Sequence, residues 1–124
     1  IPGLIEGAHE GAGLGVKFLK HIEKTRCLLH LIDVSEMNVY GPLESFEMIN
    51  HELKEYDKKS EHERPLSDRP QIVAFNKMDM VEADTLAIHK KKFEKMGYKV
   101  FLISSLSGFG IKELIFELNF MTFF

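Results

Sequence analysis

Apolar and polar positions fall into blocks along this chain, and the blocks alternate between helical and strand-like spacing. Over residues 16–26, Phe18, Leu19 and Ile22 are interleaved with Lys17, Lys20, Glu23 and Lys24, which predicts a helix with one apolar face. Residues 27–34 form a nearly continuous apolar run closed by Asp33 and Ser35, which predicts a strand buried on both faces. After turn material at 38–42, Leu43, Phe46, Ile49, Leu53 and Tyr56 recur every three or four positions, so 43–56 reads as an amphipathic helix. Residues 57–68 read as a charged loop, and Pro70 introduces a short apolar strand, Gln71-Ile72-Val73-Ala74-Phe75. A helix over 82–96 follows, with Leu86, Phe93 and Met96 as its core positions and Gly97 as its stop. A third strand at 100–103 and a last helix at 111–118 complete the pattern, leaving an aromatic tail at 119–124 without a structural reading.

Strands alternating with helices predict an α/β fold, a three-layer parallel sheet with flanking helices joined by right-handed crossovers. Ligands of open α/β sheets bind beyond the carboxyl ends of the strands. Three polar strand endings gather on that edge: Asp33, the cluster Asn76 to Asp79, and the cluster Ser104 to Gly108.

The central ending carries the most specific chemistry. Gln71-Ile72-Val73-Ala74-Phe75 runs straight into Asn76-Lys77-Met78-Asp79. A carboxylate such as Asp79 only accepts hydrogen bonds and takes two in parallel, matching the N1–H and exocyclic amino group of guanine. Adenine has no such donor pair. Asn76 can hold the loop and reach N7 of the base, while the Lys77 stem lies over the ring with its charge toward phosphate. Asn-Lys-x-Asp alone is weak, arising by chance in on the order of one in a hundred chains of this length. Its weight comes from agreement with the other endings.

Composition narrows the picture without redirecting it. The chain has 124 residues, 44% apolar and 28% charged, which suits one domain with a hydrophobic core. A net charge of -3 argues against a surface that binds polyanions generally, so no direct DNA contact is expected. Lys90-Lys91-Lys92 would spread over about 200 degrees of a helix and reads as a solvated face. No apolar stretch approaches the roughly 20 residues that span a bilayer, so no membrane partner is expected. The lone Cys27 excludes an internal disulfide, suits a reducing compartment and reads as a buried structural thiol. A cytoplasmic location is the expectation. The sequence opens at Ile1-Pro2-Gly3, without Met and in mid-motif, which points to part of a longer protein.

Other chemistries find little support. The six histidines (His9, His21, His30, His51, His62 and His89) are scattered, with no H-E-x-x-H or paired cysteine for zinc. His30, within the first apolar run, reads as a core histidine. Ser104, Ser105 and Ser107 lack the G-x-S-x-G setting of a nucleophile, and no carboxylate pair suggests acid–base catalysis. Gly3, Gly7, Gly11, Gly13 and Gly15 mark residues 1–15 as a loop. They do not have the preceding strand and spacing of a dinucleotide fingerprint. A flavodoxin-like domain would need a phosphate loop after the first strand, and Val34-Ser35-Glu36-Met37 offers none.

Taken together, the motifs resemble the guanine-nucleotide domain of the Obg family of translation-factor-related GTPases. Ile1-Pro2-Gly3-Leu4-Ile5-Glu6-Gly7-Ala8 is similar to the Asp-x-Pro-Gly element at the start of switch II, entered one residue after its Asp. Gly13-Leu14-Gly15, followed by residues 18–26, resembles the stretch that separates Obg proper from the developmentally regulated GTPases. Asn76-Lys77-Met78-Asp79 matches the guanine-specificity motif, and Ser104-Ser105-Leu106 stands where the family usually has Ser-Ala-Leu. The likeness covers residues 1–118.

The resemblance implies that Asp79 pairs with guanine, Asn76 braces the loop, Lys77 covers the ring, and backbone N–H groups at Ser105 and Leu106 contact the guanine oxygen. Ile1, Pro2 and Gly3 would lie at the γ-phosphate, which Gly3 approaches through its own N–H. Leu4 stands where Ras-like proteins carry the water-orienting glutamine, which implies slow intrinsic hydrolysis. The phosphate-cradling G-x-x-x-x-G-K-[ST] loop and the switch I threonine occur nowhere in the 124 residues, so switch II through the guanine loops is what this partial G domain holds. For the parent protein the resemblance implies a GTP/GDP switch using Mg²⁺ and acting in assembly of the large ribosomal subunit. The chain itself is expected not to hydrolyse GTP and to bind guanine nucleotide weakly if at all, and no cofactor is firmly expected for it. The alternative is an inactive structural half-domain, whose sheet edge would favour self-association.

Overall fold

The computed structural model describes residues 25–59 and 65–123. Their elements run β1 (Leu28–Asp33), α1 (Pro42–Lys59), a 3₁₀ turn (Leu66–Asp68), β2 (Gln71–Asn76), a second 3₁₀ turn (Met78–Met80), α2 (Ala83–Lys95), β3 (Lys99–Leu102) and α3 (Ile111–Phe123). The predicted helix at 16–26 lies almost entirely outside the described residues, as does the glycine-rich stretch 1–15.

The described residues divide into two compact units, residues 25–28 with 44–59 and 65–70, and residues 29–43 with 71–123. In the first unit, Leu53 and Tyr56 of α1 bury against Leu66, with Leu28 packed alongside. The sequence reads 57–68 as a charged loop. The structure instead extends α1 to Lys59 and closes a 3₁₀ turn around a Leu66 that has no exposed surface. Asp57 makes this turn possible. Its carboxylate accepts the Leu66 N–H at 2.8 Å, the Ser67 N–H at 3.0 Å and the Ser67 hydroxyl at 2.7 Å. Those backbone donors would otherwise be buried beside Leu66 without partners.

The second unit holds the sheet, in the order β1-β2-β3. β2 and β3 are parallel, with Ile72 opposite Lys99 and Phe75 opposite Leu102. On β1, bonds from the Leu28 N–H to Pro70 and from the Val34 N–H to Asn76 keep a constant offset, the pattern of a second parallel pair. Period-two alternation sorts β2 onto two faces. Ile72 and Ala74 join Ile103 and Leu114, with Phe101, Ile111, Leu118 and Met121 packed against them. Phe75 meets Phe93 of α2 edge to face, ring centroids 5.2 Å apart at 86°. Both rings are fully buried, and each contributes roughly 1.5–3 kcal/mol by leaving water.

Three expectations change. β1 is not buried on both faces: alternation turns Leu28, His30 and Ile32 to one face, where Ile32 is inside, while Leu29 and Leu31 on the other face are exposed. Met96 is half exposed rather than core, since the helix has ended before it. Gly97, at φ +95, then forms a Schellman stop, with Gly97 N–H to Glu94 and Tyr98 N–H to Phe93. The aromatic tail continues α3 to Phe123, with Met121 on the core. No helix of the described residues is long and apolar enough to cross a membrane.

Candidate guanine-recognition site

The three polar strand endings converge within the second unit. β2 ends at Asn76, and the next residue, Lys77, takes left-handed backbone angles of φ 63 and ψ 33, the one non-glycine among the described residues with positive φ. That conformation costs a side-chain-bearing residue about 1–2 kcal/mol and persists where the surroundings over-determine it. Here they do. The Asn76 Oδ1 accepts the Lys77 N–H at 2.9 Å, and Lys77 Nζ reaches Asp33 Oδ2, also at 2.9 Å. Beyond Lys77, the Met78 N–H donates to the Ile103 carbonyl at 3.2 Å, and Met78–Met80 closes a 3₁₀ turn.

Asp33, at the end of β1, is the hub on the other side. Its Oδ1 accepts the Ser35 N–H at 2.9 Å and the Ser35 hydroxyl at 2.7 Å, and its carbonyl accepts Asn38 Nδ2 at 2.9 Å. Partial burial by itself would raise the Asp33 pKa. The Ser35 hydroxyl, Lys77 and the Ser35 N–H outweigh it and hold the carboxyl below its ordinary value. Asp33 is therefore an anion at neutral pH, fixed to hold the lysine.

The third ending is a tight loop built on Ser104, which is buried. The Ser104 N–H donates to Phe109 O at 3.0 Å, its carbonyl accepts Gly108 N–H at 2.8 Å, and its hydroxyl accepts Ser107 N–H at 3.3 Å. Gly110 closes the loop at φ +75, so near β3 that a Cβ there would lie 2.3 Å from the Leu102 carbonyl oxygen. The loop is tied to the β2 ending by Asn76: Oδ1 accepts the Ser105 N–H at 2.9 Å, and Nδ2 donates to Ser105 Oγ at 3.1 Å.

The structure thus brings Asn76, Lys77, Met78, Asp79, Ser104, Ser105 and Leu106 to one edge of the sheet. Ile1, Pro2 and Gly3 lie outside the described residues. Asp79 is exposed and has no hydrogen-bond or ion-pair partner among the described residues. Leu106 is almost fully exposed. Two details differ from the sequence reading. The Lys77 ammonium is engaged by Asp33, and the Ser105 N–H is engaged by Asn76. Sequence reasoning placed Asp33 on this edge but missed its grip on Lys77. The available signal was Asp-x-Ser, a pattern that closes an Asx turn. Among the described residues, no group of three or more His, Cys, Asp or Glu could hold a metal ion.

Residues 1–77 match the family model described as 50S ribosome-binding GTPase. GTPase Obg of Clostridium tetani is 52% identical over 121 residues, covering 96% of this chain and 27% of that protein. GTPase Obg of Acetivibrio thermocellus is 50% identical over 117 residues, covering 94% and 26%. GTPase Obg of Bdellovibrio bacteriovorus is 48% identical over 122 residues, covering 95% and 36%. The chain therefore spans about a quarter to a third of the length of these relatives. By the family match, the likeness to GTPase Obg and the α/β fold, the chain belongs to the 50S ribosome-binding GTPases, in their Obg family.

Proposed function

We propose that this chain is the guanine-recognising part of an Obg-type GTPase. The observation that carries the reading is the double attachment of Asn76, which holds Lys77 through one N–H and Ser105 through another. That attachment sets the Asn-Lys-x-Asp ending and the Ser104-Ser105-Leu106 loop side by side, with the Asp79 carboxylate exposed beside them.

In this reading Asp79 accepts the N1–H and exocyclic amino hydrogens of guanine, and the Leu106 N–H donates to the guanine oxygen. The Lys77 stem covers the base while Asp33 fixes its ammonium. Gly3 and its neighbours would face the γ-phosphate and act as a segment ordered by GTP and released on hydrolysis. The phosphate loop and metal ligands of such a switch are not among these 124 residues, so no hydrolytic step is derived for them. Magnesium, GTP hydrolysis and a large-ribosomal-subunit partner belong to the reading of the longer protein, the last supported by the family's description.

Calorimetric titration with GDP and with ATP tests the proposal. Saturable binding of GDP but not ATP, lost in Asp79→Ala, is expected. Equal binding of both nucleotides, or no binding to folded chain, would sink it.

A further inference from the structure

The contact between Asn76 and Ser105 runs in both directions. The Ser105 N–H donates to Asn76 Oδ1 at 2.9 Å, and Asn76 Nδ2 donates to Ser105 Oγ at 3.1 Å. These two bonds join the same two residues and close a ring. The bond from Nδ2 to Ser105 Oγ holds the Asn76 NH₂ group in place, beyond what the bonds to Oδ1 alone fix. The ring also assigns the amide. Its oxygen takes two backbone N–H groups, from Lys77 and Ser105, and a flipped amide would set its NH₂ against both donors. One Nδ2 hydrogen serves Ser105 Oγ, and the second is the donor available to a purine N7.

From this geometry we infer that the Ser105 hydroxyl is a positioning residue for purine recognition, acting through Asn76. An alanine at 105 keeps the backbone bond and loses the ring, so the Asn76 amide regains a rotation that binding of the purine N7 must then freeze. The inference rests on the guanine-recognition reading and adds a specific device to it. Ser105 is exposed, so replacing its side chain leaves the packed core untouched.

The test compares the unsubstituted chain with Ser105→Ala and Ser105→Thr, titrating each with GDP and with 7-deaza-GDP. The 7-deaza compound keeps the guanine edge read by Asp79 but has no N7 acceptor. Ser105→Ala should bind GDP roughly threefold to tenfold more weakly, the scale of one hydrogen bond. Ser105→Thr should restore affinity, because it keeps the hydroxyl. With 7-deaza-GDP the alanine penalty should shrink to less than twofold. A general loosening of the loop would weaken both ligands equally, and that result overturns the inference while leaving guanine recognition standing. Unchanged GDP affinity in Ser105→Ala overturns it likewise. Failure of the unsubstituted chain to bind GDP overturns the inference and the reading beneath it together.

Discussion

Gly110→Ala tests how tightly the base-binding loop is built onto the sheet. Two separate costs apply at this position. The backbone sits at φ +75, a region that disfavours a Cβ by about 1–2 kcal/mol. The new Cβ would also lie 2.3 Å from the Leu102 carbonyl oxygen and 3.2 Å from Ile103 Cγ2. The oxygen belongs to the last residue of β3, so relief requires moving the strand or the loop, an overpacking cost of roughly 1–3 kcal/mol. The sum, about 2–5 kcal/mol, is a large share of the roughly 5–15 kcal/mol that holds a domain folded. Gly108→Ala is the control. It shares the positive φ, at +87, but its Cβ would meet nothing within 4 Å. Urea denaturation followed by circular dichroism should place Gly110→Ala about 1–3 kcal/mol below Gly108→Ala. Equal stabilities for the two variants would refute the reasoning, since the close approach would then cost nothing.

Three further outcomes follow from the geometry. His30 in β1 has its pKa lowered from 6.5 to about 4, by burial that outweighs a hydrogen bond with Gln71. The unfolded chain therefore binds more protons between those values, and stability should fall as pH drops from 6.5 to 4, by up to ~3 kcal/mol. His30→Gln should flatten that segment of a stability–pH profile. The Asp33 carboxyl is shifted the other way relative to its charge, held below 3.8, so its contribution is present above that pH and lost as pH falls through the folded value. Urea curves at pH 5 and pH 3 should show a smaller acid loss in Asp33→Asn than in the unsubstituted chain. Asp57→Ala should destabilise the chain by roughly 1–3 kcal/mol in urea denaturation, because the Leu66 and Ser67 N–H groups lose their acceptor.

Much of this site is legible in the sequence because its parts are local. Gln71–Asn76 is apolar and short, so it reads as a strand, and Asn-Lys-x-Asp falls at its end by connectivity alone. Gly97 announces the stop of α2 because few other residues tolerate its φ. What escaped depends on pairing across distance. Whether Leu29 and Leu31 are buried depends on what packs against their face of the sheet, which periodicity does not contain. The buried 3₁₀ turn at Leu66 lies in a charged stretch and exists because Asp57, nine residues earlier, supplies its acceptor. The engagement of Lys77 by Asp33 joins residues 44 positions apart. The helix through the aromatic tail was missed because Phe116 and Phe120 remain exposed and blur the apolar face that Leu114, Leu118 and Met121 define.

Guanine recognition through Asp79 is the central claim, and Asp79→Asn probes it most directly. An aspartate accepts two hydrogen bonds, whereas an asparagine accepts on one side and donates on the other. Guanine offers donors at N1 and at its 2-amino group, while xanthine offers a donor at N1 and a carbonyl acceptor at C2. Titrating both chains with GDP and xanthosine diphosphate should therefore show a reversal: the unsubstituted chain prefers GDP, and Asp79→Asn prefers the xanthine nucleotide, each by roughly tenfold or more. An Asp79→Asn chain that still binds GDP ahead of xanthosine diphosphate would contradict the assignment of Asp79 to the base.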